Sequence, residues 1–181
     1  MRLSVLTAVS RPWNLGLLAQ SLTTASRNAP AVDVSWHCRF DPIRLHVGGQ
    51  TLKNWMLADI HDGWVWILDD DTIAHDHVLA RVSEVVDAKP KLEAVVVAQR
   101  RVDGRVLHAH PDNNVVGEID AGQAFLKRSL ITEEIPPTYA GDGAWLETTL
   151  ANARVGYLDE VLSLHNQITG IDVSEPVERM T

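Results

Sequence analysis

Three consecutive carboxylates, Asp69-Asp70-Asp71, directly follow the apolar run Trp64-Val65-Trp66-Ile67-Leu68. Neighbouring carboxylates repel, and a solvated turn does not require them at the end of a buried strand. Side chains of an extended chain alternate between faces. A strand continued through the triplet therefore turns Asp69 and Asp71 to one side. Asp70 turns to the other, where it would support a loop or touch a nucleotide. Hard divalent cations take oxygen ligands and often join one or two carboxylates to phosphates. The pattern suits Mg²⁺ or Mn²⁺ holding a diphosphate, whose charge the metal would neutralise on departure. Asp71 would equally serve as N-cap of a following helix, since Asp complements the helix macrodipole there.

The elements that position the triplet are legible from periodicity. Leu3–Val9 reads as a buried strand closed by Ser10-Arg11-Pro12. Leu15, Leu17, Leu18 and Leu22 recur at near-helical spacing up to the stop at Asn28-Ala29-Pro30. A second strand over Val32–Cys38 ends in the turn Phe40-Asp41-Pro42, and a short helix over 51–58 follows Gly48-Gly49. The spacing of Val78, Leu79, Val82, Val85 and Val86 predicts an amphipathic helix over 75–88. Glu93–Ala98 is another core strand, and Val102–Val106 a hairpin turn. This alternation predicts an α/β domain with a mostly parallel central sheet flanked by helices. Such sheets bind ligands at their carboxyl edge, where the triplet stands. Residues 99–138 read as an irregular insertion or acceptor-side region, and a helix over 143–153 completes the core.

An apolar fraction of 45% with 22% charged residues is that of a globular protein, and the 181 residues suffice for one core. The net charge of −8 argues against general binding to a phosphate backbone; Arg100, Arg101 and Arg105 read as loop charges. Cys38 is the only cysteine, which excludes an internal disulfide and a cysteine zinc site; cytoplasmic residence is the default expectation. No apolar run is long enough to span a membrane. Met1–Leu6 superficially looks like a signal peptide, but Ser10, Arg11 and Asn14 interrupt it, and it reads as the first strand.

Lys53-Asn54 on a short helix, then Gly63, then the apolar strand and aspartate triplet resemble family 2 glycosyltransferases of the GT-A fold. That family carries an Arg-Asn or similar pair, a Gly-Asp turn, an apolar strand and an aspartate triplet in this order. Val116–Gln123 resembles its acceptor-side strand and loop, and Gly141–Leu146 the Glu-Asp segment opening its catalytic helix. Leu164-His165-Asn166 falls where many such enzymes carry a C-terminal histidine. The resemblance implies one GT-A-like, Rossmann-like domain over residues 1–181. Residues 1–98 would bind the nucleotide sugar, and 99–181 would supply the acceptor side and catalysis. It also implies metal-dependent transfer from a nucleoside-diphosphate sugar, UDP-sugars foremost, to an acceptor hydroxyl with inversion. The chain is short for the family, and self-association would complete its acceptor cleft.

The resemblance also assigns roles. Asp142 would be the base that deprotonates the acceptor, with helix N-capping as its alternative. Asp69, Asp71 and His165 would hold Mn²⁺ or Mg²⁺. Ala8, Ser10, Arg11, Asp41, Lys53, Asn54, Asp69 and Asp70 would line the donor site, Asp41 accepting from the base. Asp120 and Gln123 would bind sugar hydroxyls and Trp145 would stack on the acceptor, unless they only form a turn and core. Two departures stand out: Gly141 replaces the usual acidic residue before Asp142, and His37–Asp41 replaces an Asp-Asp-Gly-Ser type of ending. Asp69 and Asp71 also match the nucleophile and acid of a haloacid-dehalogenase-type phosphohydrolase. Gly141 keeps open a non-catalytic nucleotide- or carbohydrate-binding module.

Overall fold

Every residue of the first strand after Arg2 is buried, as expected of a strand covered on both faces. The structure, a computed structural model, describes residues 1–41, 49–138 and 140–166. Its strands are β1 (Arg2–Val9), β2 (Asp33–Phe40), β3 (Trp64–Ile67), β4 (Ile73–Ala74), β5 (Ala94–Arg101), β6 (Val106–Leu107), β7 (Ala124–Lys127) and β8 (Val155–His165). Its helices are α1 (Leu15–Arg27), α2 (Gln50–Ala58), α3 (Val78–Ala88) and α4 (Gly141–Leu150).

One sheet runs in the order β2-β1-β3-β7-β5-β8-β4, with β6 paired to β5. Parallel pairs, β1 with β2 and β3 and β5 with β8, carry most of the paired residues. β7 runs antiparallel between β3 and β5 and joins the two parallel parts. Being antiparallel to both, it leaves β3 and β5 pointing the same way.

Alternation along the strands divides the core in two. Val5, Trp66, Val95 and Phe125 face Leu18 and Leu22 of α1 and Leu79 and Val82 of α3. Leu6, Ile67, Val96 and Leu126 face Met56 of α2 and Leu146 of α4. Trp66 and Phe125 stack at 4.5 Å between ring centroids, and the Trp66 indole donates to the Gly122 carbonyl.

Three expectations are corrected. The irregular stretch 99–138 contains the central strand β7, which at four residues is too short to show a period of two. The helix expected from residue 75 starts at Val78, because the chain at Ile73–Ala74 pairs with β8 and the His75 N–H donates to Leu162. The last helix ends at Leu150. Beyond it the chain returns as the eleven-residue β8, whose Asp159 and Glu160 fall at a bulge against β5 and blur the strand signal.

No helix among the described residues is long and apolar enough to cross a membrane. The parallel strands end together, so the loop after β1, the triplet after β3, and His165 at the end of β8 share one sheet edge. The antiparallel pair Ile73–Leu164 completes this, setting His165 beside the residues that follow the triplet.

Candidate functional site

β3 ends at Ile67, and the Thr72 N–H donates to the Asp69 carbonyl at 3.0 Å, so the triplet lies on a turn. The expected strand alternation is therefore corrected, and each aspartate takes a different partner. The Asp70 carboxylate accepts from the Ser10 N–H (2.7 Å), the Arg11 N–H (2.6 Å), the Ser10 hydroxyl (3.2 Å) and Arg11 Nε (2.8 Å). Arg11 Nη2 adds a contact at 2.7 Å. Asp70 is 1% exposed, and it ties the loop after β1 to the turn after β3. Its capacity as an acceptor is used within the fold.

Arg11 also reaches Asp71, Nη1 to Oδ2 at 2.7 Å. Burial disfavours the guanidinium charge, but Asp71 and then Asp70 outweigh it and raise its pKa. The Asp71 carboxyl is pushed up, by burial first and by Asp69 next, against the pull of Arg11. Asp71 does not cap α3: the cap position is His77, without a side-chain bond.

Asp69 pairs with Lys53, Nζ to Oδ1 at 2.8 Å. Its side chain keeps 26% exposure, which makes it the open member of the triplet. Burial opposes its charge, yet Lys53 holds the carboxyl below its ordinary value, aided by His165 and Arg11. Lys53 itself is 1% exposed. Burial alone would discharge it; Asp69, and then Asp142 and Asp120, raise its pKa instead. A single buried ammonium thus pairs with the most exposed member of the triplet, while its charge also bears on Asp142 and Asp120.

Asp142 lies in the first turn of α4, after the cap residue Ala140, and accepts from the Gly143 N–H at 2.9 Å. It is not the N-cap. Burial chiefly, then Asp120, pushes its carboxyl up, with Lys53 opposing. A carboxylate tuned upward is a stronger proton acceptor, the property a general base requires. The neighbouring Gly141 is explained by packing, because a Cβ there would collide with the Pro136 carbonyl oxygen. The acidic side chain that the resemblance leads one to expect has no room. Gly141→Ala is expected to destabilise the fold by about 1–3 kcal/mol through overpacking. Urea unfolding would read this as a lower midpoint at unchanged slope.

Other sequence candidates divide by geometry. Asp120 opens a capping box: Oδ1 accepts from the Gly122 N–H at 2.8 Å and from Gln99 Nε2 at 3.2 Å. Gln123 closes the box, accepting from the Asp120 N–H and donating to the Val97 and Leu107 carbonyls. Fully buried and with its carboxamide spent on backbone, Gln123 is corrected from a sugar ligand to a structural residue. Trp145 is likewise corrected. Its ring is 2% exposed in the core and its Nε1 donates to the Glu133 carbonyl, which removes it as a stacking platform. Asn54 brackets the Ile135 backbone with both ends of its amide, at 2.9 and 2.8 Å, and so fastens α2 to the chain leading into α4. It does not face a donor.

Ala8 and Asp41 are buried at the carboxyl ends of β1 and β2, where the Asp41 N–H donates to the Val9 carbonyl. Gly49 presses on Ala8 in the left-handed region (φ 68°) and leads into α2. His165 ends β8, and its Nδ1 is buried with no partner among the described residues. Among those residues no three His, Cys, Asp or Glu side chains are gathered closely enough to hold an ion. Asp69, Asp71 and His165 therefore supply suitable donor chemistry without forming a closed ligand set.

Gln99 and Ser163 went unnoticed in the sequence. Both are fully buried, and Gln99 Nε2 donates to Ser163 Oγ at 3.1 Å while its Oε1 has no partner among the described residues. A glutamine at the end of the apolar run Ala94–Ala98 was the available signal.

No protein-family model matches the chain, and no curated protein sequence does. Solved structures do share its fold. S. aureus TarS 1-349 superposes with a TM-score of 0.65 at 14% identity, covering 91% of this chain and 60% of that one. The same protein in complex with UDP-GlcNAc gives 0.64 at 14% identity over 97% of this chain and 61% of that one. A glycosyltransferase involved in glycosylation of the major capsid of PBCV-1 gives 0.56 at 12% identity, over 99% and 98% of the two chains. The chain thus spans about 60% of the TarS 1-349 length and nearly all of the PBCV-1 protein.

Proposed function

We propose that this chain is a glycosyltransferase that moves a sugar from a nucleoside-diphosphate donor, foremost a UDP-sugar, to an acceptor hydroxyl. The observation that carries the reading is the Lys53 link. Its ammonium pairs with the partly exposed Asp69 at the carboxyl edge of the sheet, and its charge also bears on the upward-tuned Asp142. The shared fold with a protein solved in complex with UDP-GlcNAc supports it.

In this reading the loop after β1, held by Asp70, forms one wall of the donor site with Ala8 and Asp41. Asp142 accepts the proton of the acceptor hydroxyl as that oxygen bonds to the anomeric carbon. The bond from that carbon to the diphosphate oxygen breaks with its electron pair, and the nucleoside diphosphate leaves. Attack opposite the leaving group inverts the anomeric configuration. Asp69, Asp71 and the unpartnered His165 Nδ1 offer the oxygen and imidazole donors suited to Mn²⁺ or Mg²⁺. A cation held there would supply charge neutralisation for the departing diphosphate.

The test is calorimetric titration of UDP and UDP-GlcNAc with Mn²⁺ or with a chelator, together with UDP release in the presence of acceptors. Metal is expected to tighten UDP binding by at least about tenfold, 1.4 kcal/mol. Asp71→Asn is expected to remove that increment while leaving metal-free binding in place. Failure of every nucleotide sugar to bind or turn over, with or without metal, would overturn the reading.

A further inference from the structure

A second cleft lies at the end of α4 remote from Asp142. Pro111, Asn114, Glu147, Leu150, Val155 and Tyr157 line it, and its volume is about 440 Å³. From Asp142 to Leu150 the helix rises about 12 Å. Val116 and Ile119 lie against Gly143, each 3.5 Å from where a Cβ would stand, and the Val116 N–H donates to Glu147 at 3.3 Å. The chain from Asp120 back to Asn114 therefore borders α4 along its length, exposing Val115 and Val116 on the way.

The polar groups in this cleft have unused capacity of a particular kind. Asn114 Nδ2 donates to the Tyr157 hydroxyl at 2.6 Å. That bond occupies a lone pair of the phenol oxygen and leaves its proton without an acceptor among the described residues. Asn114 Oδ1 is buried, out of a ligand's reach, and has no partner among the described residues. Burial holds the Tyr157 phenol above its ordinary pKa, against the Asn114 bond, so it remains a neutral donor. The phenol proton is thus a free donor at the cleft, and a sugar hydroxyl, which accepts as well as donates, matches it. Glu147 offers an acceptor at the rim, while Pro111 and Val155 offer apolar surface to the C–H face of a pyranose. Among the described residues no Lys or Arg lines the cleft, which disfavours phosphate, nucleotide or any anionic ligand.

We propose that this cleft is a saccharide subsite, holding an uncharged sugar ring of the acceptor some units back from the hydroxyl that reacts at Asp142. The separation is too great for one ring to occupy both places, so the acceptor is a linear oligosaccharide or a longer glycan. The acceptor role rests on the glycosyltransferase reading; affinity of the cleft for saccharide does not.

The two are separated by measuring binding without turnover. The full chain is titrated with neutral cello-, malto-, chito- and manno-oligosaccharides of increasing length, and separately with UDP. At least one series is expected to bind more tightly with length. Tyr157→Phe and Asn114→Ala are each expected to weaken that binding by about tenfold, with UDP affinity unchanged and the chain still folded at the titration temperature. No binding by any neutral series, or binding that both variants leave intact, overturns the subsite even if UDP binds normally. Glycan binding that depends on Tyr157 and Asn114 in a chain that ignores UDP upholds the cleft and defeats the transferase reading instead.

Discussion

Asp142→Asn is expected to lower sugar transfer by about 10²–10⁴-fold while leaving UDP affinity unchanged. The amide keeps the shape of the side chain and removes its ability to take a proton. The same variant is expected to be more stable than the parent at neutral pH. Burial and Asp120 raise the folded carboxyl above its unfolded value. Its favourable contribution is therefore present below the unfolded pKa and is lost as pH rises through the folded one. At neutral pH the parent carries an ionised, partly desolvated carboxylate beside Asp120, and the variant does not. The stability gain should vanish in acid, where the parent is protonated too. Melting curves across pH, set against transfer rates, check both halves. A variant that is stabilised and inactive marks a group strained for function; one that is stabilised and fully active removes Asp142 from catalysis.

Lys53→Met is expected to be the most damaging single change to the fold, costing about 3–5 kcal/mol. The methionine keeps most of the lysine volume, so the cost is electrostatic. Asp69 loses its partner at 2.8 Å, and Asp142 and Asp120 lose a compensating positive charge. The pH dependence follows from Asp69. Its folded carboxyl is held below the ordinary value, chiefly by Lys53 against burial. That contribution is present above the unfolded pKa and is lost as pH falls through the folded one. The gap between Lys53→Met and the parent should accordingly narrow as the solution is acidified. Adding Asp69→Asn to Lys53→Met should restore part of the loss, because the two residues act as a unit. Urea titrations of the two single variants and the double variant measure this. Equal losses added without recovery would show that the pair is not the source.

Local pattern carried much of the architecture and a smaller part of the site. Leu3–Val9 is apolar but for Ser4 and Thr7, and Trp64–Ile67 is apolar without interruption, as suits strands covered on both faces; the triplet stands out because it ends such a run. β7 left no mark, since four residues cannot display alternation and its place between β3 and β5 is set by contacts far along the chain. The three aspartates were found together, but their different fates were hidden. Asp70 is claimed by Ser10 and Arg11, some sixty positions earlier, through bonds that no spacing rule anticipates. Residue type also misled at Gln123 and Trp145, where an amide and an indole suited to a ligand are instead consumed by backbone carbonyls. Lys53 was legible as a charged residue on a short helix. That it is fully buried and paired with Asp69 depends on how α2 is laid under the sheet.

The seam at β7 has a consequence for how this chain tolerates change. Phe125 and Leu126 are adjacent, yet they serve opposite cores, so sliding the strand by one position would exchange them and unseat both. Length is therefore locked between Asp120 and Lys127, where a box-shaped turn feeds directly into the seam. The exposed stretch near Val115–Gly117 sets no strand register, although Val116 itself is tied to Glu147. Natural or engineered insertions should accumulate there, reshaping whatever the far end of α4 grips while the two halves of the sheet stay in step.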